Sequence, residues 1–327
     1  MSATVAVIEG DGIGPEVIGA TTPLIRDLVP DLDLKFYPAG DGVYEETGTA
    51  LPKETLNGAL KADAVLMGAT GETAAEVVIR LRQELDTYVN LRPVKSYSGV
   101  DCLYPDLDII IARENTECLY AGIESEIVEG VTTATRVISE KASTRIAEFA
   151  FDYATREDYD KVTAIHKSNV LQVTDGLFLD AVGSVAERFE VPYEEMLVDA
   201  AALHLVQNPA RFEVIVTPNL FGDILSDLGG GLVGGLGLCP SANIGEEHGI
   251  FEPVHGTAPD IAGTGKANPT ATIVSASYLL RFLGKKKAGD QLEAAVEEAL
   301  SKGETTPDLG GNLSTQEMSE AIRNRLN

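Results

Sequence analysis

Positive charge is what this sequence has least of. Its 327 residues carry 25 Lys and Arg against 51 Asp and Glu, a formal net charge of −26. A surface of that sign repels phosphate backbones and anionic lipid, which excludes nucleic acid and membrane as partners. The acid is spread along the chain and not gathered into a tail, so it does not read as disorder. Even acidity with few lysines fits a protein kept soluble in concentrated salt, where screening relieves self-repulsion. It also fits an ordinary acidic cytosolic protein. Cysteine is scarce too: Cys102, Cys118 and Cys239 are odd in number and lack CxxC spacing. That points to a reducing compartment and away from a disulfide framework. No apolar run reaches the roughly 18 residues of a membrane-spanning helix. The opening MSATVAVIEG has neither the basic start nor the long apolar centre of a signal peptide. The expectation is a soluble, cytoplasmic protein.

What is present is an alternation of strand and helix patterns in a chain that is 44% hydrophobic. TVAVIE, LDLKFYPA, AVLMGA, LDIIIARE, KVTAIHK and FEVIVTPN read as strands. PEVIGATTPLIRDLV, KETLNGALKA and STRIAEFAFDYATRE read as helices between them. This predicts an α/β fold, a mostly parallel sheet covered by helices, in one large or two medium domains. Two stretches stand apart. AGIESEIVEGVTTATRVISE alternates at period two around a glycine, the pattern of a protruding β-arm. SDLGGGLVGGLGLCPSANIG is glycine-rich and reads as a boundary or hinge.

The turn after the first strand, IEGDGIGPE, invites comparison with the dinucleotide fingerprint G-x-G-x-x-G. That fingerprint also needs an acidic residue about 20 positions on, at the end of the second strand. Here Gly10, Gly12 and Gly14 recur at every second position and Pro15 stands where the third glycine belongs. Asp11 and Glu16 would compete with a pyrophosphate for the helix N-terminus, and Asp41 falls well beyond the required spacing. As a Rossmann site it fails.

Chemistry is better supported elsewhere. In NLFGDILSD, Asp223 and Asp227 lie one helical turn apart among apolar neighbours. Adjacent carboxylates repel unless a cation or basic group sits between them. Asp199, in LVDAAALHL, is a third acid in an apolar setting. Three carboxylates with only four histidines in the chain describe a hard-cation site, Mg²⁺ or Mn²⁺, and not zinc. Arg80, Arg82 and Arg92 fall within RLRQELDTYVNLRPVK, and Arg113 ends a buried strand in IIIARENTECLY. Arginine forks suit carboxylates, and strand C-termini are where α/β proteins place ligands. Tyr120 and Lys167 are the acid–base candidates, since a lysine near other cations can surrender its proton. His166 and His204 read as structural. EPVHGTAPDIAGTGKANPTA is too rich in Gly, Pro and Asn for regular structure, and its backbone N–H groups could cradle a phosphate or adenine.

GDGIGPE, LRQELDTYVNLRP, RENTECLY, HKSNV, NLFGDILSD and HGTAPDIAGTGKANPTA, in that order along essentially the whole chain, resemble the β-decarboxylating dehydrogenase family. That family contains the isopropylmalate, isocitrate, homoisocitrate and tartrate dehydrogenases. The resemblance implies a two-domain fold with a large mixed sheet flanked by helices, a deep cleft and a non-Rossmann cofactor site. Residues 1–87 and 235–327 would form the first, cofactor domain. Residues 88–234 would form the second, dimerisation and metal-binding domain, with its β-arm at about 120–139. Arg82, Arg92 and Arg113 would grip the substrate's malate carboxylates. Asp223 and Asp227 would bind the divalent metal with Asp199 of a second subunit, and Asp199 would also contact substrate. Tyr120 and Lys167 would be acid and base, Lys167 reaching across a homodimer. The stretch Gly256 to Asn268, with His255 before it and including Thr257, Ala258, Pro259, Asp260 and Ile261, would cover the adenosine of the cofactor. Asp260–Ile261 stands where NADP-dependent members have Lys-Tyr, which implies NAD⁺. Glu76 and Val78 occupy positions where tricarboxylate-using members present polar side chains, and apolar Val78 suits an isopropyl group. The implied reaction is NAD⁺- and metal-dependent decarboxylation of 3-isopropylmalate to 4-methyl-2-oxopentanoate in leucine biosynthesis. Homoisocitrate and isocitrate are the alternative substrates. A non-catalytic binding protein on this scaffold is the remote reading, and intact Tyr120, Lys167, Asp223 and Asp227 weigh against it.

Overall fold

The computed structural model describes residues 3–326. It contains, among those residues, twelve strands: β1 (Thr4–Ile8), β2 (Asp33–Tyr37), β3 (Ala64–Met67), β4 (Val89–Lys95), β5 (Asp108–Glu114), β6 (Glu124–Val128), β7 (Val131–Ala134), β8 (Val162–His166), β9 (Tyr193–Leu197), β10 (Val214–Thr217), β11 (Pro240–Ile244) and β12 (Gly249–Pro253). The chain divides into two compact units. One comprises Met1–Thr87, Lys95–Asp106 and Gly230–Asn327, the other Tyr88–Val94 and Leu107–Gly229. Residues 95–106 and 230–234, which the family resemblance assigned to the second domain, fall instead in the first unit.

In the first unit the strand order is β2-β1-β3-β12-β11, parallel except for the antiparallel β11–β12 pair. In the second it is β4-β5-β10-β8-β9, with β5, β10, β8 and β9 parallel. The α/β class with a mixed sheet flanked by helices is thus observed. The central strands are unbroken apolar runs because helices cover both faces: β3 (AVLM) and β10 (VIVT) are buried at every residue. The edge strands β2 (DLKFY) and β9 (YEEML) instead carry charge, which discourages further strand pairing.

The helices follow from local chemistry. Glu140–Arg156 starts at Ser139, whose hydroxyl accepts from Ala142 N–H, and it buries Ile146, Ala147, Ala150, Phe151 and Ala154 at helical spacing. Burying the Ile146 and Phe151 side chains stabilises it by about 1.5–3 kcal/mol each. Thr315–Arg323 opens with a full capping box between Ser314 and Glu317. The glycine-rich run is explained by close packing and a tight turn. A Cβ on Gly229 would lie 2.6 Å from Val94 Cγ2, and Gly234 and Gly235 adopt φ of 115° and 122°. The last of the chain's four crossings between the two units falls at Gly229–Gly230. β6 and β7 pair only with each other, as an antiparallel hairpin exposed at every residue.

Candidate active site

The richest cluster of functional groups lies in the second unit, at the C-terminal ends of β5 and β10. Arg113 and Thr217 are register partners there. The chain then turns into the helix Asn219–Leu232, which carries Asp223 and Asp227 one turn apart. Arg113 donates from Nε and Nη2 to Asn219 Oδ1 at 3.1 and 2.7 Å, and its Nη1 pairs with Asp223. The helix approaches closely enough that a Cβ on Gly222 would lie 2.6 Å from Arg113 Cγ, which is why NLFGD has glycine at its fourth place. Arg92, from β4, reaches Asp223 at 3.4 Å and Asp227 at 3.3 Å with Nη1. It also donates to Ser226 Oγ and, from Nε, to Asn90 Oδ1, each at 2.7 Å. The Tyr120 hydroxyl donates to Asp223 Oδ2, and Arg113 stacks 5.1 Å from its ring centre.

Electrostatics explain the grouping. Arg113 is 1% exposed and Arg92 7%. Guanidinium groups that deep are tolerated only when paired and hydrogen-bonded, as these are. Burial pushes the Asp227 carboxyl up, opposed by Arg92 and reinforced by Asp223. Two arginines therefore hold an acid pair that would otherwise repel. Asp223 and Asp227 remain 35% and 54% exposed, so their oxygens can be reached. Among the described residues no three His, Cys, Asp or Glu side chains come together around a point. Two reachable carboxylates suit Mg²⁺ or Mn²⁺, which commonly bind one or two carboxylates and complete their shell with substrate and water oxygens. The residues present fit a divalent cation whose remaining donors come from elsewhere.

Lys167 follows β8, and Asp199 begins the helix Val198–Gln207 after β9. Their side chains form an ion pair, and the Lys167 ammonium holds the Asp199 carboxyl below the usual range. Within one chain Asp199 thus sits with Lys167. His166 is buried, its Nδ1 accepts from Ser168 N–H at 3.1 Å, and burial pushes its pKa below the usual imidazole value, opposed by Glu195 and Asp175.

In the first unit, Arg82 on the helix Arg80–Glu84 donates to Glu252 Oε1 of β12 at 2.7 Å, and Asn243 shares that oxygen at 2.8 Å. The Arg82 Nε is buried without a partner. Just before this helix, Ala75–Ile79 forms a π-helical turn, a feature often found at functional sites and one that no periodicity in AAEVVIR revealed. Val78 is half-buried against the core around Ile8 and Met67, and Glu76 accepts from Ala50 N–H at 3.1 Å.

The loop from His255 to Asn268 is ordered by GDGIGPE. Ile13 N–H donates to the Thr257 carbonyl at 2.9 Å, and Gly12, at φ 57°, lies so near Thr257 that a Cβ would be 2.7 Å from the threonine Cβ. Glu16 accepts from Gly265 N–H at 3.2 Å, Ala267 N–H at 2.9 Å and the Thr315 hydroxyl. Asp11 turns the other way and accepts from the N–H groups of Asp41 and Gly71 at 2.9 and 3.0 Å. The two carboxylates that would compete with a phosphate are backbone braces, a role that spacing in the sequence does not disclose. His255 Nδ1 lies 3.0 Å from the Gly256 carbonyl, Nε2 is buried without a partner, and burial pushes the ring's pKa down. Ile261 and Ala258 pack on Ile13 and Val17, Ala258 at a φ of 41°, whereas Pro259 and Asp260 are exposed. Asn268 is buried, donating to Asp308 at 3.0 Å and accepting from Thr270 N–H at 3.0 Å. An orphaned imidazole nitrogen beside half-buried backbone is a fitting receptor for a heteroaromatic edge.

Residues 4–322 match the family model described as isocitrate/isopropylmalate dehydrogenase. A 3-isopropylmalate/3-methylmalate dehydrogenase of Methanocaldococcus jannaschii is 56% identical over 98% of both chains. A 3-isopropylmalate dehydrogenase of Archaeoglobus fulgidus is 53% identical over 98% of this chain and 99% of that one. Among solved structures, isocitrate dehydrogenase from Methylococcus capsulatus superposes with a TM-score of 0.96 at 40% identity, covering 100% of this chain and 99% of the other. With a matching model over nearly every residue and relatives above half identity from end to end, this chain belongs to the isocitrate/isopropylmalate dehydrogenase family.

Proposed function

We propose that the protein oxidises and decarboxylates 3-isopropylmalate to 4-methyl-2-oxopentanoate with NAD⁺ and Mg²⁺ or Mn²⁺. The observation that carries the reading is the constellation of Tyr120, Arg92 and Arg113 around Asp223 and Asp227. The dicarboxylate choice is supported by relatives at 53–56% identity whose names specify 3-isopropylmalate. When bound, the divalent cation would polarise the C2 oxygen and NAD⁺ would accept the C2 hydride.

This chain supplies the rest. Arg92 and Arg113 offer planar, preorganised donors to the substrate carboxylates, with Arg82 in the same role from the helix Arg80–Glu84. Asp223 and Asp227 hold the cation, joined by Asp199 of a second subunit. Lys167 Nζ, reaching in from that second subunit, takes the proton from the C2 hydroxyl as the alcohol becomes a ketone. Loss of CO₂ leaves an enolate, and the Tyr120 hydroxyl delivers a proton to C3 to give the ketone. His255, Gly256, Thr257, Ala258, Pro259, Ile261 and Asn268 frame the adenosine. Exposed Asp260 accepts from ribose hydroxyls and repels a 2′-phosphate, which favours NAD⁺ over NADP⁺.

Two observations support a homodimer. A solvent-surrounded hairpin is marginal alone, and β6–β7 with its approach exposes Ile123, Ile127, Val128 and Val131. Leu203, Val206 and Ile224 are exposed on two helices of the same unit. Tyr120→Phe tests the mechanism: decarboxylation should fall by about a hundredfold to ten-thousandfold while hydride transfer falls less, so that 2-oxo intermediate accumulates. Equal loss of both steps would remove Tyr120 from the role of acid.

A further inference from the structure

The second unit holds a buried ion pair that none of the assigned roles uses. Asp175, on the helix Thr174–Ala186, has no exposed surface and is paired with Arg136. Its other oxygen, Oδ2, accepts from the backbone N–H of Lys167 at 2.6 Å. Arg136 lies just past β7, where the hairpin returns, and its neighbour Val137 bridges Cys118 through the backbone. The guanidinium donates from Nε to Cys118 Sγ at 3.3 Å and from Nη1 to Thr174 Oγ1 at 2.9 Å. It stacks 5.1 Å from the ring centre of Phe221, two residues before Asp223. Its Nη2 is buried without a hydrogen-bond partner. One side chain thereby touches the segment leading to Tyr120, the helix bearing Asp223 and, through Asp175, the backbone of Lys167.

We propose that the Arg136–Asp175 pair is a positioning device that fixes the backbone of Lys167 within its own chain, so that the side chain reaches the second subunit's site in register. This rests on the assignment of Lys167 as the base. Apolar side chains of similar volume would fill the same space at equal or lower cost in stability, since both charges are desolvated. What they could not do is accept the Lys167 N–H while being locked to Cys118 and Phe221. A proton-transfer group displaced by about 1 Å loses about a hundredfold in rate, so the bond bears on turnover and not on substrate affinity.

The test replaces the pair in two ways in the full-length protein. Arg136→Met/Asp175→Leu removes both charges and the acceptor. Arg136→Met/Asp175→Asn removes the charges but restores an oxygen facing Lys167 N–H. The first should melt within a few degrees of the parent, bind NADH normally, and lose about tenfold to a hundredfold in kcat with KM changed less than about threefold. The second should recover most of that loss, which a purely structural pair would not produce. If the apolar pair does not fold, Asp175→Ala against Asp175→Asn carries the same comparison. Wild-type kcat in the folded variant that lacks the acceptor, or equal kcat in the variants with and without it, overturns the proposal. Lys167→Gln is the control: if it turns over normally, the assignment of the base is wrong, whatever the pair does.

Discussion

Replacing Glu16 by alanine should weaken cofactor binding although Glu16 touches no proposed cofactor atom. Its carboxylate holds Gly265 N–H, Ala267 N–H and the Thr315 hydroxyl, tying the adenosine loop to the first helix. Hydrogen bonds to a charged acceptor contribute about 1.5–3 kcal/mol each. The site is only half-buried, so water can take over much of the lost bonding. A net loss for the whole carboxylate of about 1.5–3 kcal/mol is a reasonable scale. At about 1.4 kcal/mol per factor of ten, NADH should bind roughly tenfold to a hundredfold more weakly. Glu16→Gln keeps one acceptor oxygen and should lose only about threefold. The chain has no tryptophan, so NADH fluorescence can be titrated without indole background. KM for the malate substrate should stay within about twofold, because the effect is confined to loop order. If Glu16→Ala binds NADH like the parent, the brace is dispensable and the reasoning fails.

Three further outcomes are expected. Val78→Ser should cost about 1–3 kcal/mol in kcat/KM for the isopropyl substrate relative to one with a polar C3 substituent, and unchanged preference would detach Val78 from specificity. Burial pushes the His255 pKa down, so its folded value lies below the unfolded value of about 6.5. Its contribution is complete above that pH and is lost as pH falls through it, because the unfolded state then binds a proton that the folded state does not. His255→Gln should therefore flatten the fall in Tm between about pH 7 and 5, and an identical slope would contradict the assignment. Finally, with a net charge of −26, raising KCl from about 0.1 to 1 M shortens the screening length from about 10 to 3 Å and should raise Tm. A flat or falling Tm would point to an ordinary acidic protein.

Much of the fold was legible because it rests on unbroken β-branched runs and amphipathic helices. LDIIIARE, KVTAIHK and FEVIVTPN are all strands, and STRIAEFAFDYATRE is a helix with its cap at Ser139. The acid pair was legible because a four-residue interval has one meaning on a helix. What the chain did not reveal locally depends on contacts far apart in sequence. Glu16 meets Ala267 across 251 residues, and Arg82 meets Glu252 across 170. The π-helical turn Ala75–Ile79 and the return of residues 95–106 to the first unit have no periodic signature either. Asp175 was invisible for another reason: in QVTDGLF it looks like an ordinary first-turn acid, and only burial beside Arg136 distinguishes it.

The most direct measurement is initial-rate reduction of cofactor, with Mg²⁺ and molar KCl, for 3-isopropylmalate, isocitrate and homoisocitrate with each of NAD⁺ and NADP⁺. Rapid turnover confined to 3-isopropylmalate with NAD⁺ is the expected result, joining the Val78 and Asp260 assignments in one experiment. Faster turnover of a tricarboxylate, or a preference for NADP⁺, would contradict the proposed reaction while leaving the family membership intact.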